Sequence, residues 1–93
     1  MAVELRLSKR FLRSLEELGG DDCARVESAL RQLQQQWGAP HLHTGLSVRR
    51  LQGAYCECRA GLELRVVFRV TRDGLELVLA GSHEAVHRLI RGL

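Results

Sequence analysis

Leu62-Glu63-Leu64-Arg65-Val66-Val67-Phe68-Arg69-Val70 is the run on which the architecture turns. Side chains on a strand alternate between two faces. Leu62, Leu64, Val66, Phe68 and Val70 therefore share one apolar face. Glu63, Arg65, Val67 and Arg69 share the other, which predicts a half-buried strand. Upstream, Ala54–Ala60 has the same pattern, with Cys56 and Cys58 on the apolar face and Tyr55, Glu57 and Arg59 opposite. Gly61 stands between the two runs as a turn. Downstream, Arg72-Asp73-Gly74 carries an Asp-Gly hairpin signal before a further apolar run, Leu75–Ala80. A short strand-like run, Val48–Leu51, precedes them. Together these segments predict an antiparallel meander. One face would be apolar; the other would be wet, displaying Tyr55, Glu57, Arg59, Arg65 and Arg69. That arginine-bearing face is the candidate anion-binding surface.

The N-terminal half supplies the cover. Val3–Leu7 alternates as a strand does, and Ser8 stands at an N-cap position. Phe11, Leu12, Leu15 and Leu18 follow at helical spacing up to Gly19-Gly20. Asp21-Asp22 can cap and charge a second helix, whose stripe is Cys23, Val26, Ala29, Leu30, Leu33 and Trp37. Trp37 is expected as a core or helix-end anchor. Gly38-Ala39-Pro40 breaks that helix, and a loop with His41 and His43 follows. Ser82 can cap a last helix running from His83 to about Arg91. The expected fold is α+β. An N-terminal strand and helical hairpin pack on one face of a mainly antiparallel twisted sheet, and a short C-terminal helix closes the chain.

The 93 residues fit a single domain, 1–93, with 45% hydrophobic and 27% charged residues, too apolar for a disordered chain. The net charge of +3 comes from arginine, with Lys9 the one lysine, so the chain is compatible with nucleic-acid binding without requiring it. No run approaches the roughly 18 apolar residues of a membrane span, and the start of the chain does not read as a signal peptide. A cytoplasmic setting is expected. Its reduced thiols suit the odd number of cysteines, and Cys23, Cys56 and Cys58 read as small core residues.

The local sequence from about 45 to 88 resembles the RelE/ParE toxin superfamily. Gly45-Leu46-Ser47-Val48-Arg49-Arg50-Leu51-Gln52-Gly53 is similar to the family's lead-in to the sheet. Glu57-Cys58-Arg59 resembles its "E–apolar–R" strand, and Leu64–Val70 resembles its "y–R–v–v–y–x–v" strand. Ala80-Gly81-Ser82-His83-Glu84-Ala85-Val86-His87 resembles the "G–x–H" ending of the YafQ-like branch. The resemblance implies the toxin of a type II toxin–antitoxin system, with a cognate antitoxin as partner. It implies either an mRNA endoribonuclease associated with the ribosome or, as in ParE-like members, a non-nuclease toxin directed at DNA gyrase. A catalytically inactive relative is a further alternative. The sheet lysines common among RelE-like nucleases have no counterpart here.

For the nuclease, the resemblance makes Arg65 the phosphate-supporting arginine and His83 the catalytic histidine. His87 takes the place of a following aromatic. Arg59, Arg69 and Arg50 are the candidate substrate-binding residues. Cleavage through the 2′-hydroxyl needs a base, a cation for the phosphate and an acid for the leaving 5′-oxygen. Arg65 and His83 meet two of these needs; His87, Glu84, His41 or His43 can meet the third. No cofactor or metal is expected. A rival reading lies in His83-Glu84-x-x-His87, which spells the helix motif of zinc metalloproteases. None of the six residues after His87 is His, Asp, Glu or Cys, so a downstream third ligand is missing.

Overall fold

A computed structural model describes residues 3–38 and 46–93. The elements run β1 (Leu5–Leu7), α1 (Lys9–Glu16), α2 (Gly20–Gln36), β2 (Arg49–Gln52), β3 (Tyr55–Gly61), β4 (Leu64–Val70), β5 (Leu75–Gly81) and α3 (His83–Arg91). The five strands form one sheet in the order β1-β5-β4-β3-β2. The expected meander β2–β5 is antiparallel throughout, and β1 adds a parallel edge to β5, with Leu5 opposite Leu75 and Leu7 opposite Leu77.

Each helix start reflects local chemistry. Ser8 Oγ accepts from Phe11 N–H at 3.0 Å and caps α1. The α2 cap is Gly19, not Asp21 or Asp22; both acids lie in the first turn, where Asp22 accepts from Arg25 at 2.9 Å. Ser82 caps α3 by accepting from Ala85 N–H at 3.2 Å.

The α1–α2 hairpin covers one face of the sheet. Phe11, Val26, Ala29 and Leu33 pack there against Cys58, Leu64, Val66, Phe68, Leu75, Leu77 and Ala80. Trp37 meets Phe68 edge-on at 5.5 Å between ring centroids, which makes it the helix-end anchor expected of it. Ser14, buried in α1, ties the layers together. Its hydroxyl donates to Phe11 O at 2.7 Å and accepts from Ala80 N–H at 3.0 Å.

Two expectations need correction. The second face of the sheet is not wet throughout, because α3 lies on it. Val67, Val86 and Leu89 form a second buried cluster with Leu51, Val78, Leu79 and Ile90 around them. Leu62 is not part of the apolar strand face. Gly61 is the last residue of β3, Leu62-Glu63 makes the turn, and Leu62 stands 87% exposed at its tip.

A bulge in β5 sets the side on which α3 leaves the sheet. Val67 pairs with Leu79 and Phe68 with Leu77, so Val78 is an extra residue. A bulge shifts the alternation by one. Leu75 and Leu77 face α1 and α2 before it, and Ala80 does so after it. Leu79 is thereby turned to the α3 side, and Gly81 stands opposite Arg65. The chain enters α3 on the arginine-bearing face.

Candidate nucleic-acid site

Arg59 on β3 and Arg65 on β4 are direct cross-strand partners. Two like charges opposite each other destabilise a sheet by about 0.2–1 kcal/mol. An arrangement that retains both makes sense where an anion sits between or above them. The Arg65 side chain has one hydrogen-bond partner among the described residues, Gly61 O at 3.5 Å, at the outer limit of a hydrogen bond. Its other donors are available to a ligand.

These arginines line a depression of about 210 Å³ with Ser47, Arg49, Glu57 and His83. A second depression, of about 130 Å³, adjoins it and shares Arg49, Glu57 and His83. Leu51, Val86, His87 and Ile90 complete the second one, which is more apolar. A larger hollow of about 430 Å³ opens between α2 and the end of β3, lined by Arg25, Ser28, Gln32, Arg59 and Leu62 among others. Among the described residues it is lined by no histidine or carboxylate that could serve acid–base chemistry at neutral pH.

His83 and His87 lie one turn apart at the start of α3. Their Nε2 atoms are 3.0 Å apart, a hydrogen bond in which one ring donates and the other accepts. Both rings are exposed. The H-E-x-x-H spelling therefore does bring its two histidines together. Among the described residues, no group of three or more His, Cys, Asp or Glu side chains is placed to hold a metal ion. Glu84 points away toward Arg88, 3.6 Å from it and 80% exposed.

The remaining candidate residues separate. Arg69 lies four strand residues from Arg65, about 13 Å along β4, and is engaged with Glu76 at 3.0 Å. It lines neither depression. Arg50 bonds the Gly53 carbonyl at 2.9 Å and pairs in register with Cys56, on the face covered by the α1–α2 hairpin. Its neighbour Arg49 lines both depressions instead. A register difference of one residue exchanges the faces of a strand, and a bulge between Arg50 and Gln52 obscures it in the sequence. His41 and His43 lie outside the described residues.

Glu57 is the residue whose burial the sequence concealed. It is 4% exposed, and its Oε2 pairs with Arg49 Nη2 at 2.9 Å. Its Oε1 is buried without a hydrogen-bond partner among the described residues. A glutamate on a face expected to be wet carries no signal of burial. Beside it, Cys58 is pushed up to about 12 by burial first and by the Glu57 carboxylate second. Cys56 is raised too, by burial, against the opposing pull of Arg50. All three cysteines are free thiols.

No family model matches this sequence, and no curated protein sequence does either. Solved structures do match. A chain of the Escherichia coli DinJ–YafQ toxin–antitoxin complex has a TM-score of 0.73 at 14% identity, covering 92% of this chain and 98% of that one. The archaeal RelE–RelB complex from Pyrococcus horikoshii OT3 gives 0.69 at 18% identity, covering 88% and 96%. A copper-bound mutant toxin from Helicobacter pylori gives 0.65 at 26% identity, covering 92% and 99%. This chain therefore has the fold of the RelE-like toxins, YafQ among them.

Proposed function

We propose that the chain is the toxin of a type II toxin–antitoxin pair and acts as an endoribonuclease on mRNA at the ribosome. The observation that carries this reading is the gathering of Arg59, Arg65 and His83 on one depression. Arg65 and Arg59 bind the scissile phosphate and balance the charge that grows on it in flight. His83, in its protonated form, donates to the leaving 5′-oxygen; His87 holds the ring of His83 through their hydrogen bond. The products are a 2′,3′-cyclic phosphate and a 5′-hydroxyl. The partner is a cognate antitoxin. Support for that comes from the fold shared with chains crystallised in the DinJ–YafQ and RelE–RelB complexes.

The test is induction of the wild type beside His83→Ala and Arg65→Ala, following mRNA integrity and DNA supercoiling together. Loss of mRNA that either substitution slows at least 100-fold, on the scale of acid–base and electrostatic contributions, agrees with the nuclease. Intact mRNA with altered supercoiling would move the protein to the gyrase-directed class.

A further inference from the structure

Resting on the nuclease reading, we propose that the hollow between α2 and the end of β3 is a second nucleotide subsite, which seats the base of an RNA residue flanking the cleaved step. Arg59 is the link between the two places. It lines both the hollow and the arginine–histidine depression. It takes part in no ion pair among the described residues. The chain just before β2 joins them a second time: Leu46 lines the hollow and the next residue, Ser47, lines the depression. A strand held at Arg65 therefore reaches the hollow by passing over Arg59.

The backbone explains why the hollow is open. Strand β2 begins at Arg49, opposite Glu57. Ser47, two residues earlier, has a φ of 53°, in the left-handed region that a residue with a side chain seldom adopts. The chain turns there instead of extending the ladder. Among the described residues, nothing pairs with β3 beyond Glu57 on that side. The free end of β3 forms one wall of the hollow, and α2 forms the other. Arg25 of α2 lies close over the strand end, where a Cβ on Gly61 would come within 3.2 Å of its Cδ. Asp22 accepts from one Arg25 Nη at 2.9 Å and leaves the other side of the guanidinium for a ligand.

The lining has the chemistry of a nucleotide site. Its volume of about 430 Å³ falls within the range of about 300–1,000 Å³ for small-molecule sites. Arg25 and Arg59 offer two guanidinium forks to phosphate. Ser28 and Gln32 stand one turn apart on α2, so they share a face. The Gln32 amide presents a donor beside an acceptor, as the edge of a base does. Leu46 and Leu62 give apolar surface for the face of the base; Leu62 is otherwise 87% exposed to water. Single-stranded RNA is recognised in this way, with bases splayed onto side chains and bonded along their edges. The subsite binds and does not cleave. It makes α2 the element that chooses the base beside the cut.

The experiment uses a 2′-O-methyl RNA tetranucleotide, which lacks the free hydroxyl that cleavage requires. Bound to wild type, it shifts the backbone amide signals of Ser28, Gln32 and Leu62 together with those of Arg65 and His83. The double variant Gln32→Ala/Leu62→Ser raises its Kd at least about fivefold, the lower end for loss of one base contact. Tm is unchanged, since both side chains are exposed. Amide shifts confined to Arg65 and His83 overturn the subsite, and so does a smaller rise in Kd. If the variant does not fold, the amide shifts of wild type decide alone. With mRNA and ribosomes, sequencing of the cut ends shows the variant's base preference altered at one position beside the cut; a preference unchanged at every position overturns the assignment. Wild type that cleaves no RNA refutes the nuclease reading, and tetranucleotide binding then decides the hollow by itself.

Discussion

Replacing Ser14 with alanine removes the one side-chain hydrogen bond between α1 and the far end of β5 among the described residues. Strand β1 stops opposite Leu77, so no neighbouring strand reaches Ala80 on that side. The Ala80 N–H is instead satisfied by Ser14 Oγ at 3.0 Å, in a place where Ser14 is 7% and Ala80 3% exposed. In Ser14→Ala this N–H is stranded away from water, a cost of about 1–3 kcal/mol. The lost donation to Phe11 O matters less, because that carbonyl keeps its place in the α1 ladder. Alanine is the better helix former by about half a kcal/mol, which offsets part of the loss. The net expectation is a destabilisation of about 1–2 kcal/mol. In a domain of this size that lowers Tm by about 4–16 °C. Urea unfolding should show a lower midpoint at an unchanged slope. Because Ala80 precedes Gly81 and the α3 cap, amide exchange at residues 79–83 should quicken in the same variant. A loss under about 0.5 kcal/mol would refute the view that this hydroxyl is a structural acceptor.

Three further outcomes rest on the same geometry. Arg59→Gln relieves the facing pair with Arg65 and should stabilise the fold by about 0.2–1 kcal/mol at low salt, less at high salt, while weakening RNA binding; denaturant titration and a binding assay check the opposite signs. Gly74→Ala should cost more than about 1 kcal/mol, since a Cβ there collides with the Glu4 carbonyl oxygen that accepts from Leu75 N–H at 2.9 Å, so the β1 edge must detach or shift. Cys58 should resist alkylation at pH 8 until the protein unfolds. Its thiol stays protonated in the fold up to about 12 and ionises near 9 when unfolded, so the unfolded state binds fewer protons between those values. Stability is then intact below pH 9 and falls above it by about 1.4 kcal/mol per pH unit, a slope that Cys58→Ala removes.

Periodicity made most of the elements legible. The alternation in Leu64–Val70 and the helical spacing from Phe11 to Trp37 locate β4 and the two covering helices within a few residues. These patterns report which side chains avoid water, and burial on one face is a local demand each segment meets in the same way. Capping was legible at Ser8 and Ser82 for the same local reason. Arg59, Arg65 and His83, which line one depression, were legible as candidates because short motifs carry them. The places of Arg49 and Glu57 on that depression were not legible. Arg49 was hidden by a bulge that sets the register of β2, and Glu57 by a helix that covers a face the alternation alone leaves open to solvent.

Local pattern is enough to specify the α+β class, the order of the strands along the chain and the arginine-bearing face of β3 and β4. Which arginines share that face with a histidine is settled by strand pairing. The device responsible is the extra residue Val78 in β5. Without it, unbroken alternation would put Gly81 on the side of Leu75, Leu77 and Leu79, and α3 would leave the sheet toward the helical hairpin. With it, Gly81 stands opposite Arg65, α3 packs on Val67, and His83 lines the same depression as Arg59, Arg65 and Glu57. A bulge is a relation between two paired strands, and only the pairing reveals it.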